Sequence, residues 1–291
     1  METSELLKKV RKIEIKTKGL SNQIFSGEYH SAFKGRGMAF SEVREYQPGD
    51  PIRSIDWNVS ARFNHPFVKV FEEEREISMM LIIDVSGSQD FGTKGMLKRE
   101  MVTEVAAVLA FSAVQNNDKI GVILFSDKIE KFIPPKKGKS HILRIIRELI
   151  NFEPESHGTD LNEALRFFNN VTKKRSIAFL ISDMMDESYE KALKIAARKH
   201  DLVALVASDI AEKDIPNLGM LPIKDTETGN LVWVDTSNKR VRQHLHSQFS
   251  KQLAETENLL RRSGVDFAHL HTNQSYVKPL MQLFKKREAK R

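Results

Sequence analysis

The stretch ISMMLIIDVSGS at residues 77–88 decides the fold. Its first seven residues are apolar apart from one serine, which is typical of a strand buried on both faces of a sheet. Asp84 ends the apolar run, and Ser86 and Ser88 follow it on either side of a glycine. Because parallel α/β sheets bind their ligands beyond the carboxyl ends of the strands, this polar end is the first candidate for a functional site.

Strand-like and helix-like segments alternate along the rest of the chain. Such alternation, with fully apolar strands, predicts a doubly wound α/β fold around a mostly parallel sheet. Lys128–Ile133 alternates like an edge strand, which we expect Pro134 and Pro135 to stop. Further strands are predicted at residues 120–125, 176–181, 202–207, 231–234 and 265–270, and the main helices at 98–115, 140–149, 160–169, 188–199, 239–262 and 275–284.

The first part of the chain has a different character. Residues 1–76 contain glycine-rich turn signals and too few long apolar runs to form an α/β unit of their own. We therefore expect residues 77–291 to form one domain, and residues 1–76 to form an N-terminal extension that packs on its sheet.

Composition excludes several classes of site. The chain has 291 residues and no cysteine, so disulfides, thiolate nucleophiles, iron–sulfur clusters and cysteine-ligated zinc are excluded. The N-terminus has no apolar core typical of a secretory signal, and no apolar run is long enough to span a membrane. We expect a cytoplasmic protein.

The net charge of +7 is concentrated at the C-terminal end. Residues 239–291 contain 12 Lys+Arg and 4 Asp+Glu, a balance of +8, which leaves −1 for the rest of the chain. A basic segment of this kind can bind nucleic acid, but it is more often a solvated helix face. The aromatic residues there fit core spacing better than a stacking platform, so nucleic-acid binding is the weaker interpretation. These aromatic residues are Phe249, Phe267, Tyr276 and Phe284.

Five oxygen-bearing side chains follow predicted strands or precede a helix at one sheet edge. Asp84, Ser86 and Ser88 follow the first strand, Thr159 lies in a Gly-Thr-Asp loop, and Asp183 follows the strand at 176–181. Oxygen ligands with few carboxylates suit Mg²⁺, with Mn²⁺ as the alternative, better than Ca²⁺. Taken singly, each residue could instead belong to a turn or a helix N-cap.

These motifs resemble a known domain. DVSGS after an apolar strand, GTD about seventy-five residues later, and FLISD after another strand resemble the von Willebrand factor A domain and its metal-ion-dependent adhesion site. The resemblance covers roughly residues 76–272. It implies that Ser86, Ser88 and Thr159 bind a metal directly or nearly so, and that Asp84 and Asp183 act largely through water.

The segment upstream resembles a narrower family. GRGMAFSEVREYQPGDPIRSIDWN at residues 35–58, with the stretch that follows, is similar to domain-of-unknown-function family 58, a bacterial group with an A-type domain after this segment. The resemblance implies a MoxR-type AAA+ ATPase as partner, in assembly, chaperoning or cofactor insertion. Arg53 and Trp57 are candidates for a partner-binding surface, although this segment could instead be a structural clasp.

Three functions remain open from the sequence. The first, which we favour, is a non-enzymatic, metal-dependent protein-binding module. The second is a metal-dependent hydrolase, against which stands the absence of nucleophile-elbow, zincin, P-loop and dinucleotide motifs. His269 and His271 share one face of a predicted strand but have no evident third ligand. The third is a nucleic-acid binder acting through the basic C-terminal end.

Overall fold

A computed structural model describes residues 38–73, 78–93, 96–186, 188–224 and 231–289. The described residues form two compact units, 38–73 and 78–289. The boundary predicted at residues 76–77 lies outside the described residues. The first 37 residues of the extension lie outside the described part, and its packing on the sheet stays a prediction.

The smaller unit is a two-stranded antiparallel sheet with a short helix in its connection. Strands β1 (Met38–Glu45) and β2 (Phe67–Glu73) pair, and helix α1 (Trp57–Phe63) lies between them in sequence. Asp56 is the N-cap of the helix, because its side chain accepts hydrogen bonds from the backbone N–H groups of the first turn. The same carboxylate lies 3.3 Å from the Lys69 ammonium. The unit is thus organised by turn and cap chemistry more than by apolar runs.

The larger unit alternates strands and helices as the sequence predicts. In chain order its elements are β3 (Ser78–Asp84), α2 (Lys98–Gln115), β4 (Lys119–Phe125), β5 (Ile129–Lys136), α3 (Lys139–Asn151), α4 (Leu161–Val171), β6 (Ile177–Ser182), α5 (Glu190–Lys199), β7 (Asp201–Ser208), α6 (Ile210–Lys213), β8 (Met220–Lys224), β9 (Leu231–Asp235), α7 (Lys239–Arg262), β10 (Asp266–His271) and α8 (Val277–Ala289). Strands β8 and β9 pair antiparallel as a separate hairpin. The sequence DTETGN at residues 225–230, which is typical of a hairpin turn, lies outside the described residues.

Six strands form the central sheet in the order β10-β7-β6-β3-β4-β5. All neighbouring pairs are parallel except β4 and β5, which confirms the predicted doubly wound, mostly parallel sheet. After β3 the chain forms β4 on one side of β3, and it later forms β6 on the other side of β3. The strand order therefore reverses between β3 and β6, which places the residues that follow these two strands side by side at the carboxyl edge.

The core lies on both faces of this sheet. Met80 and Ile82 of β3 belong to a buried cluster that includes side chains of α4 and α5. Met79, Leu81 and Ile83 are equally buried and alternate with them, so they face the opposite side of the sheet. A helix that is apolar nearly all round, α2, is buried over most of its length, which anchors its first turn near the carboxyl edge.

The edge strand β5 differs from the prediction. It runs to Lys136, so the expectation that Pro134 and Pro135 stop it is wrong. Between Ile120 and Val122 of β4 the partner changes from Lys136 to Ile133, so β5 carries one extra residue, a bulge that accommodates the prolines. Gly121 faces this bulge, where a Cβ would lie 2.8 Å from the Ile133 carbonyl oxygen.

A buried histidine lies far from the carboxyl edge. His200 follows α5 and is 1% exposed, with its ring 4.4 Å from the ring of Phe168. Within the described part of the chain, neither ring nitrogen has a hydrogen-bond partner. Burial, with a smaller effect from the charges of Lys199 and Arg175, lowers the pKa of His200 to about 4. The folded protein therefore holds this ring neutral.

We expect His200 to make stability fall in mild acid. Its pKa is lower in the folded than in the unfolded chain, so the unfolded state binds the extra proton as pH falls from 6.5 toward 4. Relative to His200→Leu, the wild type should lose on the order of 3 kcal/mol of unfolding free energy over this window. Urea unfolding of both proteins at pH 7 and pH 4.5 measures the difference. An equal change in the free energy of unfolding of both proteins between the two pH values would show that folding does not lower the pKa of His200.

Candidate metal site

Asp84 is the centre of the candidate site. It is the last residue of β3 and is 1% exposed. One carboxylate oxygen accepts the backbone N–H of Ser86 at 2.9 Å, and the other accepts the hydroxyl of Ser182, at the end of β6, at 2.7 Å. Because the loop after β3 and the end of the neighbouring strand β6 both bond to it, this carboxylate has a fixed orientation at the point where the strand order reverses.

The two serines after β3 are brought together. The Ser86 and Ser88 hydroxyl oxygens lie 3.1 Å apart at the start of a 3-10 turn, Gly87–Asp90. Adjacent oxygens in an octahedron around Mg²⁺, each about 2.1 Å from the ion, lie about 3.0 Å apart. The spacing of the two hydroxyls thus fits two neighbouring positions of one magnesium ion.

The Thr159 loop is joined to the serine loop by its backbone. Gly87 donates its N–H to the carbonyl of His157 at 2.9 Å, two residues before Thr159. The N-cap of α4 is Asp160, which accepts the Glu163 N–H at 2.8 Å, so the interpretation of Thr159 as that cap is wrong. The Thr159 hydroxyl is buried and has no hydrogen-bond partner among the described residues. A buried hydroxyl left unpaired is costly, which points to a ligand.

Asp183 follows β6 and is 5% exposed. One of its oxygens accepts a hydrogen bond from the Lys98 ammonium at 3.1 Å, and the other accepts the Met185 N–H at 3.3 Å. Between them, Met184 adopts a left-handed conformation with φ 61°, which turns the chain sharply after the strand. All five predicted oxygen donors therefore lie in three adjoining loops of the carboxyl edge.

Lys98 was not among the residues predicted for the site. It is fully buried in the first turn of α2 and also bonds to Glu212 of α6, at 2.6 Å. The sequence does indicate that Lys98 is buried, because it lies three and four residues before Met101 and Val102 and so occupies the apolar face of the helix. A lysine on such a face is rarely buried unless it is paired.

The electrostatics of the site favour a cation. Burial and the negative charge of Asp183 raise the pKa of Asp84 to about 7. For Lys98, burial acts to lower the pKa, but the carboxylates of Asp183 and Glu212 outweigh it and raise the pKa above its usual value. Two buried carboxylates this close repel each other, and a divalent cation between them and the hydroxyls would relieve that repulsion.

The predicted partner-binding residues lie in the smaller unit. Arg53 and Trp57 are both exposed, Trp57 by 67%. Elsewhere in this unit, Arg44 donates two hydrogen bonds of 2.8 Å to the Asp50 carboxylate. Because it is so exposed, Trp57 packs into no core within the unit.

The two histidines of β10 are held by other groups. His269 contacts Glu257 at 3.0 Å, and His271 contacts the Ser208 hydroxyl at 2.8 Å. No group of three His, Asp or Glu side chains that could hold a metal occurs among the residues described. The candidate site has two acids and three hydroxyls, so it differs from the acid- and histidine-rich sites of most metallohydrolases.

The C-terminal helix is more than a solvated basic face. Arg287 is buried and bonds to Asp201 at 2.6 Å and to Asp266 at 2.8 Å, which corrects its assignment to a solvated end. Phe284 and Tyr276 are buried in the core, as their spacing predicts, which leaves no row of exposed rings on this helix for stacking bases. Lys285 and Lys286 remain exposed beside them.

Sequence comparisons agree on one family. The family described as "Protein of unknown function DUF58" matches residues 42–255. The uncharacterized protein Rv1480 of Mycobacterium tuberculosis is 24% identical over 285 residues, 97% of this chain and 90% of the relative. The uncharacterized protein YeaD of Bacillus subtilis is 30% identical over 109 residues, 38% of this chain and 25% of the relative.

Solved structures with a similar fold are more distant. The conserved hypothetical protein BatB from Bacteroides thetaiotaomicron has 18% identity and a TM-score of 0.45, covering 74% of this chain and 100% of that one. Proximal thread matrix protein 1 from the mussel byssus, with a zinc-occupied MIDAS motif, has 16% identity and a TM-score of 0.40, covering 73% and 47%. In the part of this chain that the structure describes, the helices are too short or too polar to cross a membrane.

Proposed function

The chain belongs to the DUF58 family of proteins of unknown function, and we propose that this member is a metal-dependent protein-binding module. The observation that carries the proposal is the buried, unpaired hydroxyl of Thr159, in the loop bonded to the paired hydroxyls of Ser86 and Ser88. Coordination of a cation by the Thr159 hydroxyl oxygen would satisfy this buried polar group.

The donor set favours Mg²⁺, or Mn²⁺ in its place. Ser86, Ser88 and Thr159 offer neutral hydroxyls, whereas Asp84 and Asp183 already accept hydrogen bonds from the protein. Three neutral ligands leave most of the ion's charge uncompensated, and a bound ion would supply an open position for an anionic oxygen. The carboxylate of an Asp or Glu on a partner protein fits that position.

The partner we propose is a MoxR-type AAA+ ATPase, and the support for it is the family resemblance. Because such a partner uses ATP, we expect the interaction to take place in the cytoplasm. The exposed Trp57 and Arg53 offer a second contact, because exposed tryptophan and arginine side chains are frequent anchors at protein interfaces. Metal contact and side-chain contact would then involve separate units of the chain.

We expect Ser88→Ala and Thr159→Ala to weaken partner binding only when the metal is present. Each substitution removes one neutral ligand and leaves the buried strands intact, so the circular dichroism spectrum should not change. Pull-down of the ATPase with Mg²⁺ should fall about tenfold for each variant and should be equally weak for all proteins in EDTA. The exposed Ser247→Ala serves as the matched control. Equal binding by every protein in both buffers would show that the metal is not the contact and would favour Arg53 and Trp57 as the binding surface.

We also propose that the protein alone is not an enzyme. The two histidines of β10 are engaged by Glu257 and Ser208, which argues against their use as general bases. Purified protein with Mg²⁺ should hydrolyse ATP, phosphoesters and peptides no faster than buffer does. A metal-dependent turnover that disappears in Asp183→Ala would instead favour the hydrolase.

A further inference from the structure

Lys98 brings a positive charge to the candidate metal site. Its side chain is fully buried, and its ammonium lies 3.1 Å from an oxygen of Asp183 and 2.6 Å from an oxygen of Glu212. Asp183 is one of the two acids of the site, and its other oxygen already accepts the Met185 N–H. The negative charge that Asp183 could offer to a cation is therefore shared with an ammonium.

The ammonium is held in place by a network that continues away from the site. Glu212 accepts the backbone N–H of Asp209 at 2.7 Å with its second oxygen. The Asp209 carboxylate is 1% exposed and accepts hydrogen bonds from the hydroxyls of Thr93 and Thr272. The network thus joins the loops that follow β3, β7 and β10. Lys98 cannot swing into solvent without breaking its ion pairs with both Asp183 and Glu212.

A fixed positive charge next to a cation site lowers its affinity for cations. We propose that Lys98 is a built-in counter-charge that keeps the divalent-cation affinity of the free protein low. The site then fills firmly only when a carboxylate from a partner adds a further negative charge. The inference rests on the proposed metal site and concerns its regulation, because metal and partner would bind cooperatively at an edge that Lys98 stabilises while both are absent.

A counter-charge and a purely structural role of Lys98 predict opposite results for Lys98→Met. Lys98→Met removes the positive charge and should tighten Mn²⁺ binding by about tenfold or more, as expected when a unit charge a few ångströms away is removed from a buried site. Glu212→Gln keeps the size of the side chain but removes the charge that offsets the ammonium, so it should weaken Mn²⁺ binding by roughly threefold to tenfold. If Lys98 only supported the fold, both variants would weaken binding.

The experiment is calorimetric titration of the full chain with MnCl₂ at constant ionic strength. Lys194→Met, an exposed lysine on α5, is the matched control and should bind Mn²⁺ like the wild type. The double variant Lys98→Met/Glu212→Gln leaves no unpaired charge on Glu212 and should bind about tenfold more tightly than Glu212→Gln alone, which keeps the test valid if Lys98→Met folds poorly. Circular dichroism and urea unfolding in EDTA establish that each variant is folded.

The outcomes separate this inference from the metal site itself. The counter-charge is supported if Lys98→Met binds Mn²⁺ more tightly than the wild type, Glu212→Gln binds it more weakly, and the double variant binds it more tightly than Glu212→Gln. If removal of Lys98 fails to tighten binding in either background while the wild type binds Mn²⁺, the inference is overturned and the metal site stands. No Mn²⁺ binding by any folded variant, at millimolar metal, overturns both.

Discussion

Asp84→Asn is expected to abolish measurable divalent-cation binding and to stabilise the metal-free protein. Asparagine has the shape of aspartate, so its oxygen can still accept the Ser86 N–H and its amide can donate to the Ser182 hydroxyl. The substitution removes one negative charge from the cation's immediate surroundings. A charge at that distance in a protein contributes several kcal/mol, so affinity should fall by at least about a hundredfold.

The gain in stability has the same origin as the loss of binding. Burial and the neighbouring Asp183 raise the pKa of Asp84 to about 7, so at pH 8 the metal-free protein carries a charge that folding disfavours. Asparagine avoids that cost, which by linkage is up to about 4 kcal/mol. Urea unfolding in EDTA at pH 8 measures the gain, and titration with MnCl₂ measures the loss. A variant that binds Mn²⁺ like the wild type would place the cation elsewhere. A variant that is less stable than the wild type in EDTA would contradict the cost of the buried Asp84 charge.

Arg287→Met is expected to cause a large loss of stability. The guanidinium bonds to Asp201 at the start of β7 and to Asp266 at the start of β10, and it is 5% exposed. Methionine removes the guanidinium that bonds to both of these neighbouring carboxylates. Removing one partner of a buried ion pair typically costs about 3–5 kcal/mol.

The position of this cluster makes a useful control. Asp201 and Asp266 begin their strands, so they lie at the amino edge of the sheet, opposite the candidate metal site. Folded Arg287→Met should therefore bind Mn²⁺ like the wild type at low temperature. Its exposed neighbour, tested as Lys286→Met, should change unfolding free energy by less than about 0.5 kcal/mol. A similar effect of both substitutions would show that the loss comes from the general charge of the helix and not from the buried pair.

Much of the fold follows from period and polarity along the chain. The inner strands β3, β4, β6 and β7 are apolar on both faces. The apolar runs of β3 and β6 lead directly to the polar ends that carry Asp84 and Asp183. Parallel topology then brings these ends together, which is why five oxygen donors separated by up to about a hundred residues could be grouped in advance. Local pattern and global topology support the same site.

The residues that were missed depend on tertiary contacts. Lys98 has a neighbour 85 positions away and another 114 positions away, and local pattern gives no indication of such partners. Arg287 likewise resembles part of a basic run in sequence, whereas two acids from separate strands enclose it in the fold. Thr159 was assigned a possible capping role because a helix start predicted from sequence is uncertain by a residue or two, and the actual start gives that role to Asp160.

The prolines of β5 also determine how this protein behaves when crowded with copies of itself. A sheet with a free edge can recruit a strand from another molecule, which is the first step of many forms of aggregation. Pro134 and Pro135 have no N–H to offer an incoming strand, and the bulge that contains them bends the edge. The exposed Lys136 adds repulsion between identical edges. Pairing of two molecules through this edge of the sheet is therefore disfavoured even in concentrated solution.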